Sequence, residues 1–98
     1  MAKYFLSNKA VSDLSDIWGY TYETWSERQA DKYYSLLLNT CKELAKHPDM
    51  GKRYESVFPD LRGCRINQHI VFYLVREDGI FVVRILHGGM DLKSRLNE

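Results

Sequence analysis

The stretch HIVFYLVREDGIFVVRILH, residues 69–87, decides how this chain folds. It is dense in β-branched and aromatic residues, and Asp78-Gly79 at its middle is a strong signal for a two-residue hairpin turn. Strands are therefore expected over 69–77 and 80–87. If Glu77 pairs with Ile80, Leu74 faces Val83 and Phe72 faces Ile85 on one side of the sheet. On the other side Val75 meets Val82, Tyr73 meets Arg84 and Val71 meets Leu86. The first side is uniformly apolar and should pack beneath other elements. The second carries polar groups at its centre, where Arg65 of the preceding strand LRGCRINQ (61–68) should join Tyr73 and Arg84.

Working outward toward the N-terminus, the period changes from two to between three and four. Val11, Leu14, Ile17, Trp18, Thr21, Tyr22 and Trp25 share one face of a helix expected over residues 8–25, with Asp13, Asp16 and Glu23 on the other side. KYFLS (3–7) before it alternates like a short strand and ends on a serine able to cap the helix. Ser26-Glu27-Arg28-Gln29 reads as a capping box, so a second helix starts at once. Its stripe is Ala30, Tyr33, Tyr34, Leu37, Leu38, Cys41, Leu44 and Ala45, and Pro48 closes it by forcing the preceding residue out of the α region. Two helices joined by almost no loop must run antiparallel. The Pro- and Gly-punctuated segment 47–60 then crosses from hairpin to sheet.

Toward the C-terminus, Gly88-Gly89 lets the chain leave the last strand, and Asp91 can cap a short final turn over Leu92–Leu96. No phosphate cradle is implied, because the pair lacks the fuller glycine spacing and the long following helix that such loops need. The expected architecture is α+β: an N-terminal helical hairpin packed on one face of a small antiparallel sheet whose other face is partly open. So much apolar surface should be covered by a partner.

Ninety-eight residues fit one domain, 1–98. A net charge of +1 argues against a protein that grips many phosphates at once. Cys41 and Cys64 have no metal-ligand spacing and read as small buried apolar residues of a reduced compartment. No apolar run is long enough to span a membrane, and the N-terminus lacks a signal-peptide core, so a cytoplasmic protein is expected. No cofactor or metal is called for.

The order of elements and the residues themselves resemble the ParE branch of the RelE/ParE toxin superfamily. The likeness runs through LSNKAVSDLSDIWGYTYETW, QADKYYSLLLNTCKELAKHP and LRGCRINQHIVFYLV to VVRILHGGMDL. The FY of the middle strand followed by RILH and, two residues on, MD is the most specific part. One departure is Ser26, where such sequences commonly have Gly after the Trp. The resemblance implies a toxin of a type II toxin–antitoxin pair, neutralised by a ParD-like antitoxin whose C-terminal segment folds onto it. ParE-like members poison DNA gyrase without being nucleases; RelE-like members cut messenger RNA on the ribosome. Contact with DNA would come only through the antitoxin, and none with a membrane is expected.

Cleaving RNA through its 2′-hydroxyl requires a base, an acid and cations for the phosphorane charge. Arg65 and Arg84 can hold phosphates, Tyr73 or His87 can move a proton, and Lys52 and Arg53 can add charge. However, RelE-like nucleases commonly use a Tyr in the C-terminal segment, and this chain has none beyond Tyr73. Hairpin parity also places His87 on the Phe72 side, away from Arg84. The favoured expectation is therefore a non-catalytic gyrase inhibitor. Its open sheet face, at Arg65, Tyr73 and Arg84, would bind the antitoxin. As in ParE-like toxins, the C-terminal segment with His87, Met90, Asp91, Leu92, Arg95 and Leu96 would act on the target. The alternatives are a ribosome-dependent endoribonuclease and a purely structural half of an autorepressing complex.

Overall fold

A computed structural model describes residues 2–89 and 91–96, so the sequence-based expectation for Met90 lies outside the described residues. Strand β1 (Lys3–Leu6) leads into helix α1 (Asn8–Thr24) and helix α2 (Glu27–Lys46). A single 3₁₀ turn (Pro48–Met50) and strand β2 (Lys52–Arg53) cross to β3 (Arg62–Ile66), β4 (His69–Arg76) and β5 (Gly79–His87), and helix α3 (Leu92–Leu96) follows. The α+β architecture with a helical hairpin on the sheet is as expected. The sheet has five strands in the order β1-β5-β4-β3-β2. It is mixed, because β1 joins the edge parallel to β5 while the other pairings are antiparallel.

Local chemistry sets the hairpin. Ser7 accepts from the Ala10 amide at 2.9 Å and Ser26 from the Gln29 amide at 3.1 Å, each satisfying an orphan donor at a helix start. In α2 the expected stripe is largely interior, with Ala30, Leu37, Cys41, Leu44 and Ala45 all buried. In α1 the buried residues are Ala10 and Leu14, whereas Val11, Tyr22 and Trp25 of the expected stripe are exposed. Asp13, expected on the solvent side, instead points at β5. Pro48 ends α2 as expected, with the His47 amide donating to Glu43 O.

The β4–β5 register differs from the sequence-based one in two ways. Arg76 pairs with Gly79, so Glu77-Asp78 forms the turn rather than Asp78-Gly79. Gly79 belongs to the strand because β1 crowds it: a Cβ there would lie 1.7 Å from the Lys3 carbonyl oxygen. Further along, Tyr73 pairs with Val82 but Phe72 pairs with Arg84, which leaves Val83 as a β-bulge. The two-residue shift at the turn leaves the faces unchanged, whereas the bulge moves Ile85 to the Tyr73 face and Arg84 and Leu86 to the Phe72 face, and it is the Tyr73 face that the helices cover. Val71, Tyr73, Ile80, Val82 and Ile85 pack under the helices with Leu14, Leu37, Cys41 and Leu44. Phe72, expected beneath the hairpin, lies on the opposite face with Ile70, Leu86 and Leu61. That face is not bare, since Tyr54 and Val57 from the crossover and Leu92 and Leu96 from α3 pack on it.

Candidate partner-binding surfaces

The bulge decides where every candidate side chain goes. β1 stops pairing at Leu6 opposite Val82, and beyond that point α1 runs beside the uncovered edge of β5. Ser7 Oγ donates to Val83 O at 2.6 Å, and Asp13 takes over where a neighbouring strand would have been. One Asp13 oxygen accepts from the Ile85 amide at 2.9 Å and from Arg84 Nε at 2.8 Å; the other accepts from Arg84 Nη2 at 3.0 Å. Arg84 Nη1 donates to Arg95 O at 2.9 Å. Arg84, expected on an open face opposite Tyr73, is thus only 9% exposed and ties α1, β5 and α3 together.

Tyr73 is displaced further from its expected place. It lies in the helix-side core at 0% exposure, because the face it shares with Val71 and Val82 is the one the helices cover. Its hydroxyl donates to Pro48 O at 2.6 Å and accepts from the Gly51 amide at 2.9 Å, fastening the crossover to the sheet. Burial, more than any neighbouring group, pushes this phenol above its ordinary pKa. Gly51 must be glycine here, since a Cβ would sit 2.2 Å from the Tyr73 oxygen. Arg65 alone of the three is exposed; its Nε donates to Asn67 O at 3.1 Å.

His87 stays on the helix-covered side where it was expected, but the extra residue at the bulge sets it on the Tyr73 face rather than the Phe72 face; it pairs with His69, ring centroids 5.7 Å apart and edge-on. His69 is the residue that sequence reasoning missed; only the unrecognised Asn67-Gln68 turn, with Asn67 at φ 52°, could have disclosed it. Its Nδ1 lies 2.7 Å from the Tyr33 hydroxyl, which is 3.1 Å from Ile66 O. A hydroxyl has one proton, so Nδ1–H donating to Tyr33 while Tyr33 donates to Ile66 satisfies all three groups. Burial first, then the neighbouring His87, lowers the His69 pKa, so the imidazole stays neutral near pH 7.

These residues floor a cavity of about 950 Å³ between the far end of the hairpin and the β3–β4 turn. Ile17, Tyr20, Trp25 and Tyr33 wall it, and Asp16 stands at its rim. Tyr20 and Trp25 are 70% and 74% exposed, and Trp18 stacks on Tyr22 nearby along α1. In the C-terminal segment, Asp91 caps α3 loosely, its Oδ1 accepting from the Ser94 amide at 3.4 Å. Leu92 and Leu96 pack half-buried on the sheet rather than projecting outward, while Lys93 and Arg95 lie on the surface. Both cysteines are free; burial raises the Cys41 thiol pKa to about 12 and also pushes up that of Cys64. Among the described residues no His, Cys, Asp and Glu group could hold a metal, and no helix is long and apolar enough to cross a membrane.

A family profile described as the ParE toxin of the type II toxin-antitoxin system, parDE, matches residues 4–92. The chain belongs to this family of ParE toxins. It is 36% identical to Toxin ParE1 of Caulobacter vibrioides, across 98% of this chain and 99% of that protein. Identity to Toxin ParE of Escherichia coli is 37%, across 98% and 94% of the two chains. The Mycobacterium tuberculosis Toxin ParE1 is 34% identical over 97% of this chain and 98% of its own length. The fold recurs in a chain of the solved "Chromosomal ParDE TA system from P. aeruginosa", with a TM-score of 0.76 at 20% identity, covering 89% of this chain and 96% of that one. The molecule is therefore a ParE-type toxin of a toxin–antitoxin system, and the expected resemblance is borne out.

Proposed function

We propose that this ParE toxin inhibits DNA gyrase without itself cutting nucleic acid, acts in the cytoplasm, and is silenced by a ParD-like antitoxin that folds onto it. Membership of the ParE family carries the reading. Geometry supports the non-catalytic part. The side chains that a ribonuclease would have to gather stand apart, each with other work: Tyr73 in the core, Arg84 on Asp13, and His87 against His69.

Antitoxin contact is assigned to Arg65, whose exposed guanidinium suits a carboxylate of an acidic segment. Target contact is assigned to the C-terminal segment, through His87, Asp91 and the basic Lys93 and Arg95, with Leu92 and Leu96 seating α3 on the sheet. DNA would be reached only through the antitoxin.

Purified chain added to a gyrase supercoiling assay tests this. Supercoiling should fall and cleaved-complex DNA should accumulate. Unimpaired gyrase together with fragmented messenger on translating ribosomes would overturn the assignment in favour of a RelE-like endoribonuclease. A charge reversal, Arg95→Glu, should keep the fold and weaken the gyrase effect; an unchanged effect would remove the C-terminal segment from the target surface.

A further inference from the structure

The cavity at the far end of the hairpin is absorbed neither by the core nor by the proposed target segment. α3 packs on the Phe72 and Leu86 face, whereas the cavity opens on the helix side, between α1, α2 and the β3–β4 turn. A partner seated there would not compete for α3 directly. The two aromatic rings at its mouth, Tyr20 and Trp25, are among the most exposed large side chains of the chain. Leaving such rings in water is unfavourable unless something covers them.

The charge pattern says what kind of group fits. Asp16 is the one lining residue with a carboxylate, and the cavity has no lysine or arginine. No hydrogen bond or ion pair joins the Asp16 side chain to another described residue; its neighbour Asp13 is fully engaged by Arg84, and Asp31 accepts from Trp18 Nε1 at 2.9 Å. His69 on the floor supplies no compensating cation, being held neutral by burial. An unanswered carboxylate beside aromatic faces is the environment that attracts a cation on a long aliphatic stem. The head meets the carboxylate, the stem covers the rings, and the rings' negative faces add to the attraction.

We propose that this cavity receives an arginine or lysine side chain from the antitoxin segment that folds onto the toxin, its head at Asp16 and its stem against Tyr20 and Trp25. The inference rests on the antitoxin reading given above. It places a basic anchor in a segment expected to be otherwise acidic, so that Arg65 and Asp16 read opposite charges and fix the direction in which the segment lies.

The test is calorimetric titration of the full-length toxin with the full-length antitoxin from the adjacent reading frame, for the unaltered chain, Asp16→Asn, Tyr20→Ala and Trp25→Ala. All three positions are exposed, so thermal unfolding should be unchanged. Each variant should bind about 10-fold more weakly, the scale of losing one well-desolvated anchor contact. Asp16→Lys should bind worse still, and one antitoxin variant in which a single Arg or Lys becomes Glu should restore its affinity. If the unaltered chain does not bind the antitoxin, the partner reading falls. If it binds and the variants bind equally well, the cavity proposal alone falls. Variants that keep antitoxin affinity but lose gyrase inhibition would give the cavity to the target and likewise overturn it.

Discussion

Arg84 and Asp13 form a two-pronged ion pair, Nε to Oδ2 at 2.8 Å and Nη2 to Oδ1 at 3.0 Å, between residues 71 positions apart in the chain. Both side chains are about nine-tenths buried. Their value lies in mutual dependence, since either alone would be a charge removed from water without an answer. Asp13→Ala should cost about 3–5 kcal/mol in urea unfolding, because it strands Arg84 and also leaves the Ile85 amide without its acceptor. Replacing both, as Asp13→Leu with Arg84→Met, should recover the part of that loss due to the stranded charge, though the Ile85 amide still lacks its acceptor. A single Asp13→Ala variant with near wild-type stability would show that water reaches the pair and satisfies it.

The Tyr73 hydroxyl joins Pro48 O and the Gly51 amide to the centre of the sheet. Tyr73→Phe keeps the ring in the core and removes only the oxygen, leaving one buried acceptor and one buried donor unmatched. A loss of about 1–3 kcal/mol is expected. Hydrogen exchange should localise it, with faster exchange at Gly51 and little change in α1. Antitoxin binding should survive, because Tyr73 is shut away from the surface; a binding defect without a stability defect would return this residue to the interface.

The same pair of sites explains which parts of the molecule were legible in the sequence. Helix spacing and the Ser7 and Ser26 caps act over three or four residues, so the hairpin could be read directly. The sheet depended on a register, and VVRILH has no break in its apolar pattern to announce that Val83 is extra. That one residue moves Ile85 and His87 to the Tyr73 face and Arg84 and Leu86 to the Phe72 face, and it is the Tyr73 face that the helices cover; the turn shift at Gly79, dictated by the approach of Lys3, slides β5 by two residues. Both causes are contacts between segments far apart in sequence. Asp13 was unreadable for the same reason, since its partner lies on β5 and nothing near it in the chain distinguishes it from Asp16. Arg65 is exposed, but the regular two-residue turn between β3 and β4 sets it opposite Ile70, so it lies on the Phe72 face and not with Tyr73 as expected.

Leu37 is fully buried where α2 meets the sheet, among Leu14, Leu44 and Val82 of the helix-side core. Leu37→Ala removes three carbons that the thin core of a small protein cannot readily refill. The expected loss is about 2–5 kcal/mol in chemical denaturation, with an unchanged denaturant slope. Leu36→Ala is the matched control: Leu36 is 42% exposed on the same helix and should cost far less. Equal losses at the two positions would mean that α2 is rotated about its axis relative to the packing described.

Stability should also fall on acidification through the histidine range, and the direction follows from His69. Its folded pKa is below the ordinary 6.5 because burial, and then His87, disfavour the imidazolium. Between the lowered folded value and 6.5 the unfolded chain binds a proton that the folded chain refuses, so unfolding is favoured as pH drops. The contribution is fully present above the unfolded pKa and is lost progressively as the pH falls toward the folded one. His69→Gln, which cannot titrate but can still hydrogen-bond to Tyr33, should flatten this part of the pH–stability curve while leaving the carboxylate-dependent fall at lower pH. Melting temperatures measured from pH 7.5 to 5 for both proteins decide the point. Parallel curves over that interval would place the His69 pKa in the folded state at its unfolded value, and would mean that water reaches the Tyr33–His69 contact.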